Sequence, residues 1–240
     1  MADIIEQKIG DLAQNNAKYI KIFQKFGLDF FCKGDLKLLE AISEAEVDLG
    51  EIMPFLYEVQ QSPATGIEVN IGDWPLDLLS DYIQKTHHVY TEKTLTYLRQ
   101  VVREFLEKNL PEREIINNFQ PYLEEIAGEL GAHMKREELI LFPTIKRIVM
   151  SRGKIENPGA KTVQNPVDKM IHEHNTQFEL LKKIREILNH YQIFDTASKE
   201  FFDIVKNMED LDKDLGIHLH LENNILFPCA VALEKSKIEN

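Results

Sequence analysis

Two stretches of the chain place a histidine and a glutamate four residues apart and then repeat the same apolar tail. The first contains His133 and Glu137 and the second contains His218 and Glu222, and both fit His-x3-Glu-x2-Ile-Leu-Phe-Pro. On a helix, residues four apart share one face, so each copy aims an imidazole and a carboxylate at one point. Two such helices facing each other would offer four ligands to a shared centre. Because buried unpaired carboxylates are very costly, the pattern predicts a metal site.

Further ligands are expected, because a centre with two metal ions normally needs more than four. The two other long helical segments carry closely spaced histidines, His87 and His88 on one and His172 and His174 on the other. One from each would give four histidines and two glutamates, but the spacing does not choose within either pair. Imidazole and carboxylate donors without thiolate suit iron or manganese better than structural zinc. Two bridging carboxylates would hold the ions roughly 3.5–4 Å apart.

Several nearby residues have a simpler interpretation. A single His-x3-Glu pair is usually a hydrogen-bonded surface pair, so the metal interpretation depends on the repetition. The Ile-Leu-Phe-Pro tails are expected to pack in the core. His220 points to nearly the opposite side of its helix from His218, and His190 is expected at a helix end or on the surface. Core or interfacial packing is expected of Tyr90, Tyr97 and Tyr122.

The elements that position these residues are predicted to be helices, since glycine and proline are sparse and apolar residues recur every three or four positions. The pattern indicates an all-α fold, an antiparallel four-helix bundle preceded by a small helical domain. The N-terminal helices are predicted at 12–23, 36–45 and 49–60, and the bundle helices at 75–108, 111–150, 166–191 and 195–235. A breaker-rich stretch around residues 61–75 separates the predicted domains, 1–65 and 74–238. A second loop is predicted at 153–166.

Two prolines follow the repeats inside predicted helices. Pro143 and Pro228 each lack a backbone donor, so each is expected to kink its helix at a matching height.

The composition narrows the classes of partner. The net charge of −12 argues against nucleic acid and anionic membranes as partners. No apolar stretch approaches the roughly 18 residues of a membrane span, and the N-terminus shows no signal peptide. Two cysteines, Cys32 and Cys229, do not make a disulfide framework, which suits a reducing cytoplasm. Cys229 follows Pro228 directly and is expected to be a packing residue.

The motifs resemble a known family. Residues of about 75–236 look like a hemerythrin-like domain, and the full layout resembles the RIC (Repair of Iron Centers) proteins, di-iron proteins of bacterial iron–sulfur cluster repair. The resemblance is carried by four blocks, namely 81–88, 130–143, 171–174 and 218–228. It implies histidine ligands at His88, His133, His174 and His218, with Glu137 and Glu222 as bridging carboxylates. It thereby selects His88 over His87 and His174 over His172, and it implies two iron ions in an oxo- and carboxylate-bridged centre.

The N-terminal resemblance is weakest at the cysteine motif. The family's short helical domain has Asp-aromatic-Cys-Cys-Gly-Gly, whereas this chain has Asp29-Phe30-Phe31-Cys32-Lys33-Gly34. Of the two cysteines and two glycines of the motif, only the second of each remains, so a vicinal disulfide is excluded for a single chain. Cys32 is a candidate reactive thiol, with Lys33 beside it to favour the thiolate, and a buried, inert cysteine is an equal alternative.

The resemblance implies a stress-response role, the repair of iron–sulfur clusters damaged by nitrosative or oxidative stress, by donation of iron. The expected partners are damaged iron–sulfur proteins and small diatomic ligands such as nitric oxide or oxygen, and a homodimer is kept open. One alternative is an enzyme that reduces nitric oxide or peroxide at the same centre. Another is oxygen binding or sensing, for which typical hemerythrin-like carriers use a fifth histidine. The last is a helical bundle with a structural metal and no chemistry.

Overall fold

The regular structure of the chain is helical. The computed structural model describes residues 2–61, 71–151 and 162–239, and the β-structure in these ranges is a single isolated antiparallel bridge between Lys8 and Lys37. The prediction of an all-α fold is confirmed. No helix in these ranges combines the length and the apolar character that crossing a bilayer requires. The described ranges leave out the predicted breaker stretch near residue 65 and most of the predicted loop at 153–166.

The helices are numbered in chain order. The short N-terminal ones are α1 (Ala2–Ile5), α2 (Ile9–Asn15), α3 (Ala17–Phe26), α4 (Leu38–Glu44) and α5 (Leu49–Gln61). They are followed by α6 (Leu76–Tyr82), α7 (Val89–Glu107), α8 (Arg113–Arg136), α9 (Phe142–Met150), α10 (Gln164–Ile187), α11 (Lys199–Leu221) and α12 (Phe227–Glu239). Three π-helical segments join consecutive helices without a break, namely Ile83–His88, Glu137–Leu141 and Glu222–Leu226.

Contacts between residues divide the described chain into two compact units. One comprises residues 2–61, 71–80, 148–151 and 216–239, and the other comprises 81–147 and 162–215. This grouping differs from the predicted division of the sequence into 1–65 and 74–238, which stays a prediction. In the second unit α7, α8, α10 and α11 all contribute to one hydrophobic core, which includes Leu98, Phe119, Ile184 and Met208. The amphipathic period of these four helices therefore produces the packing expected of a bundle.

Side-chain caps set two helix boundaries differently from the sequence prediction. The predicted helix over 12–23 is divided at Asn16, whose side chain accepts a hydrogen bond from the Lys18 N–H at 2.9 Å and so starts α3. The predicted start of the last bundle helix at residue 195 is also wrong. Helix α11 begins at Lys199, because the Ser198 hydroxyl accepts a hydrogen bond from the Phe201 N–H at 3.2 Å.

Candidate metal centre

Each π-helical segment carries a predicted ligand at one of its ends. Glu137 and Glu222 are the first residues of their segments, and His88 is the last residue of the third. The N–H groups of Phe142 and Phe227 donate to the carbonyls of Glu137 and Glu222, five residues earlier, which is the π-helical bond. A π-helical segment thus precedes Pro143 and Pro228, where the sequence predicted kinks.

Four of the predicted ligands meet within the unit formed by residues 81–147 and 162–215. His88 is 3% exposed, and His133, Glu137 and His174 are fully buried. The Oε2 atom of Glu137 lies 3.3 Å from Nε2 of His88 and 3.3 Å from Nε2 of His133. The Nε2 atoms of His133 and His174 are 3.0 Å apart. The imidazole nitrogens therefore converge on the carboxylate from three helical segments.

Two carboxylates outside this cluster fix the protonation of two of its imidazoles. Nδ1 of His88 donates to Oε1 of Glu138 at 2.9 Å, and Nδ1 of His133 donates to Oε2 of Glu173 at 3.0 Å. Because an ionised carboxylate only accepts, the proton sits on Nδ1 and the lone pair of each Nε2 faces the cluster. Sequence reasoning missed Glu138 and Glu173, since the hydrogen bonds join different helices and no spacing in the sequence reveals them.

Glu173 is held in its ionised form by its neighbours. Arg136 also donates to its Oε2 atom, from Nε at 3.2 Å and from Nη2 at 2.8 Å. Burial works to raise the pKa of Glu173, but the hydrogen bonds from His133 and Arg136 outweigh it and hold the pKa at about 2. The carboxylate that orients His133 is therefore negatively charged at neutral pH.

The second repeat presents the other two predicted ligands. His218 and Glu222 are both fully buried, and Nε2 of His218 lies 3.0 Å from Oε1 of Glu222, one helical turn away. His220 is also buried, but Nδ1 of His220 accepts a hydrogen bond from Nδ2 of Asn224 at 2.8 Å. Burial lowers the pKa of His220 to about 4, although a hydrogen bond with the backbone of Phe30 opposes this, so its ring is neutral at pH 7. His220 supplies no atom to the clusters of ligand atoms that include Glu137 and Glu222.

The six predicted ligands fall into two groups that share both glutamates. In each group the ligand atoms all lie within 4.8 Å of one another. One group is His88, Glu137, His218 and Glu222, and the other is His133, Glu137, His174 and Glu222. All members are buried, so each group could surround one ion, with Glu137 and Glu222 common to both.

The donor set fits a pair of transition-metal ions. Both carboxylate oxygens of Glu137 are buried and accept no hydrogen bond from any described residue, which is a costly state for a carboxylate unless a cation compensates it. The Nε2 atoms of His133 and His174, 3.0 Å apart, can remain this close only with a proton or a cation between them. Ligands about 2.1 Å from one ion and at a right angle lie roughly 3 Å apart. The mixed imidazole and carboxylate set favours iron or manganese.

The structure places the remaining histidines outside these groups. His87 is buried, and its Nδ1 atom lies 3.0 Å from Oδ1 of Asp214, while its ring meets Tyr82 edge-on. His172 and His190 are exposed. His87 and His172, the two histidines that the spacing could not exclude, are therefore absent from both groups of ligand atoms.

The other side chains singled out from the sequence also lie outside the two groups. Tyr97 is exposed, and its hydroxyl donates to Asp203, whereas Tyr90 and Tyr122 are half-buried against the hydrophobic core. Cys32 is half-buried and forms no disulfide. Cys229 is exposed, so its expected role in packing is wrong, because the side chain that follows Pro228 faces away from the core.

Comparison with known proteins assigns both parts of the chain. Residues 80–230 match the family model described as hemerythrin HHE cation binding domain, and residues 5–60 match ScdA_N, a domain of unknown function. The chain is 28% identical over 229 residues to proteins named iron-sulfur cluster repair protein YtfE, covering 95% of this chain and 98% of each relative. These relatives come from Escherichia coli O81 (strain ED1a), Escherichia fergusonii and Shigella boydii serotype 4.

These relatives confirm the family resemblance that the sequence motifs indicated. The hemerythrin model covers more than half of the chain, and its matched residues include all four histidines and both glutamates of the two groups. The chain belongs to the hemerythrin HHE cation binding domain family.

Proposed function

We propose that this protein holds two iron ions in a carboxylate-bridged centre and acts in the repair of damaged iron–sulfur clusters. The proposed ligands are His88, His133, His174 and His218, with Glu137 and Glu222 as the bridges. The observation that carries the metal proposal is that both glutamates belong to both groups of buried ligand atoms. The name of the relatives, iron-sulfur cluster repair protein, supports the proposed process.

The side chains around the ligands have separate tasks in this proposal. Glu138 and Glu173 accept hydrogen bonds from Nδ1 of His88 and His133, so that both Nε2 atoms face the cluster and can bind a metal ion. Full burial of Glu137 and Glu222 excludes bulk water from the bridging oxygens. When bound, a pair of ferrous ions would supply open positions for small molecules and a store of iron. Nitrogen and oxygen donors bind ferrous iron less tightly than thiolates do, which favours release to a damaged cluster.

The proposed partners are damaged iron–sulfur proteins and small diatomic molecules such as nitric oxide, and the proposed setting is the cytoplasm. The proposed layout is an N-terminal domain of residues 1–65 followed by the metal-binding bundle of residues 74–238. Typical oxygen carriers use a fifth histidine, and neither His87 nor His172 belongs to the groups of ligand atoms.

Metal analysis of the full chain tests the metal proposal. Protein from iron-replete cells should contain about two irons per chain, with absorption in the near-ultraviolet from an oxo bridge. Glu137→Ala and Glu222→Ala should each lower the iron content, whereas His190→Ala, at an exposed position, should not. Full iron content in both glutamate variants would contradict the bridging role, and about one zinc or no metal would contradict the centre itself.

A second experiment separates repair from catalysis. The ferrous protein is mixed either with an apo iron–sulfur protein and inorganic sulfide, or with nitric oxide and an excess of a chemical reductant, and cluster formation and nitrous oxide are measured. Transfer of iron to the apo protein without turnover of nitric oxide supports iron donation. Repeated reduction of nitric oxide with no transfer would favour the reductase alternative.

A further inference from the structure

The two repeats diverge at the two positions that follow the bridging glutamate. Glu138 and Leu139 follow Glu137, whereas Asn223 and Asn224 follow Glu222. In the first repeat Glu138 bonds to His88, and Leu139 is 73% exposed. The same two positions in the second repeat must therefore serve another purpose.

In the second repeat both asparagines bind the backbone of the N-terminal loop that carries Cys32. Nδ2 of Asn223 donates to the Phe31 carbonyl at 3.1 Å, and Nδ2 of Asn224 donates to the Phe30 carbonyl at 3.0 Å. These are the residues just before Cys32 in the chain. The thiol-bearing loop is thus anchored, through side-chain hydrogen bonds, to the π-helical segment Glu222–Leu226.

Close packing reinforces the two hydrogen bonds. A Cβ atom added to Gly34 would lie 2.2 Å from Oδ1 of Asn224, and one added to Gly10 on α2 would lie 3.0 Å from the Gly34 backbone. Gly34 is therefore held between α2 and Asn224 with no room for a side chain. Lys33, in contrast, is exposed and pairs with Glu44. This explains why the chain keeps the second glycine of the family's motif and replaces the first.

Aromatic contacts complete the attachment of the loop. The Phe30 ring lies 5.6 Å from the His220 ring and 5.3 Å from the Phe31 ring. Phe31 also approaches Gly216 on α11, where an added Cβ would stand 3.3 Å from its ring. The loop conformation is fixed internally as well, because Oδ1 of Asp29 accepts the Cys32 N–H at 2.8 Å.

We propose that Asn223 and Asn224 are positioning residues that couple the Cys32 loop to the π-helical segment Glu222–Leu226. Through this coupling, metal binding at Glu222 controls access to the Cys32 thiol. The inference rests on the proposed function only in taking Glu222 as a metal ligand. A metal ion that orders Glu222 also orders the next two residues of the same π-helical segment, and these hold the loop closed. Because linkage is reciprocal, opening of the loop weakens metal binding by the same factor.

The rate of Cys32 alkylation tests this coupling in the full chain. A Cys229→Ser background removes the exposed second thiol, and labelling by iodoacetamide is followed by mass spectrometry with and without Fe(II) under anaerobic conditions. We expect Fe(II) to slow labelling about tenfold, within the usual range of coupling between sites. Asn224→Leu, which installs the first-repeat residue, should speed labelling of the apo protein about tenfold and abolish the effect of iron.

Matched variants and a measurement of the iron content show whether a negative result contradicts the coupling or the proposed function. Leu139→Asn makes the reverse exchange at an exposed position and should label like the parent. Asn223→Ala removes only one hydrogen bond and should give an intermediate rate, which keeps the test valid if Asn224→Leu does not fold. Iron binding with equal labelling rates in its presence and absence would overturn the coupling and leave the proposed function intact. If no iron binds, the proposed function fails. Labelling rates in both metal-free asparagine variants that equal the rate in the parent would overturn the anchoring role.

Discussion

At the residue scale, Glu137 is a proposed metal ligand whose burial comes at the expense of stability. Its side chain is fully buried, and neither carboxylate oxygen accepts a hydrogen bond from a described residue. A bound cation would compensate the charge, and without one the desolvation cost remains.

We predict that Glu137→Gln stabilises the metal-free protein and destabilises the iron-bound protein. Without metal, the variant should be more stable than the parent by about 1–3 kcal/mol, because a buried charge has been removed. With iron, it should be less stable than the parent. Thermal unfolding of both proteins with and without iron measures the crossover. A variant that is less stable than the parent under both conditions would contradict the prediction.

The carboxylates behind the histidines are a second feature at this scale. Removing the hydrogen bond between a ligand and its supporting group typically costs 10–100-fold in metal affinity. We therefore predict that Glu138→Gln lowers iron affinity by about 10–100-fold, as measured by competition with a chelator. The control is Glu92→Gln, an exposed position on the helix that follows His88. Equal affinities in the two variants would show that Glu138 does not support His88.

The sequence predicted much of the candidate site at this scale. The His-x3-Glu repeat is visible because four-residue spacing is a local helical property, and it supplied four of the six proposed ligands. The choice of His88 over His87 and of His174 over His172 required the family resemblance, because spacing alone does not choose within either pair. Glu138 and Glu173 could not be predicted, since their hydrogen bonds depend on how separate helices pack.

At the element scale, caps and π-helical segments account for the differences between prediction and structure. In the two repeat helices, Pro143 and Pro228 indicated a kink. The π-helical segment Ile83–His88 contains no proline, so the sequence carries no comparable indication of it. The start of α11 was missed because its capping interactions come from both a local serine and a distant glutamate. Glu112 accepts hydrogen bonds from the N–H and the hydroxyl of Ser198, both at 2.9 Å.

We predict that Glu112→Gln destabilises the fold in a pH-dependent manner. Burial works to raise the pKa of Glu112, but the hydrogen bonds from Ser198 prevail and lower it from its ordinary value. A lowered pKa contributes stability above the unfolded-state pKa and loses it as the pH falls through the folded-state pKa. In urea unfolding the variant should cost about 1 kcal/mol at pH 7, and this cost should decrease as the pH falls through the folded-state pKa. A cost that does not change with pH would contradict the role of charge.

At the scale of the whole molecule, metal binding and folding should be linked. The proposed ligands lie on α8, α10, α11 and three π-helical segments, so an unfolded chain does not assemble them. The fold class was predictable because it depends on periodicity along the whole chain. The grouping of residues 216–239 with the N-terminal helices could not be predicted, since it depends on long-range contacts such as those of Asn223 and Asn224.

We predict that removal of the metal lowers the free energy of unfolding of the whole chain. Free iron at about 1,000 times its dissociation constant should add about 4 kcal/mol to that free energy. Urea unfolding with iron or with a chelator measures the difference. The stabilisation should shrink in Glu222→Ala, and an unfolding midpoint independent of iron would show that the ions do not bind the folded state selectively.

The π-helical segments also change which residues can face the interior together. Both repeats carry one at the same place, from the glutamate to the residue before Phe-Pro. Residues five apart lie on different faces of an α-helix, whereas the wider turn of a π-helix brings them close to one face. Glu137 and Phe142 are therefore both buried, and so are Glu222 and Phe227. Removing one residue from either segment would turn the glutamate and the Phe-Pro tail toward different sides of the helix.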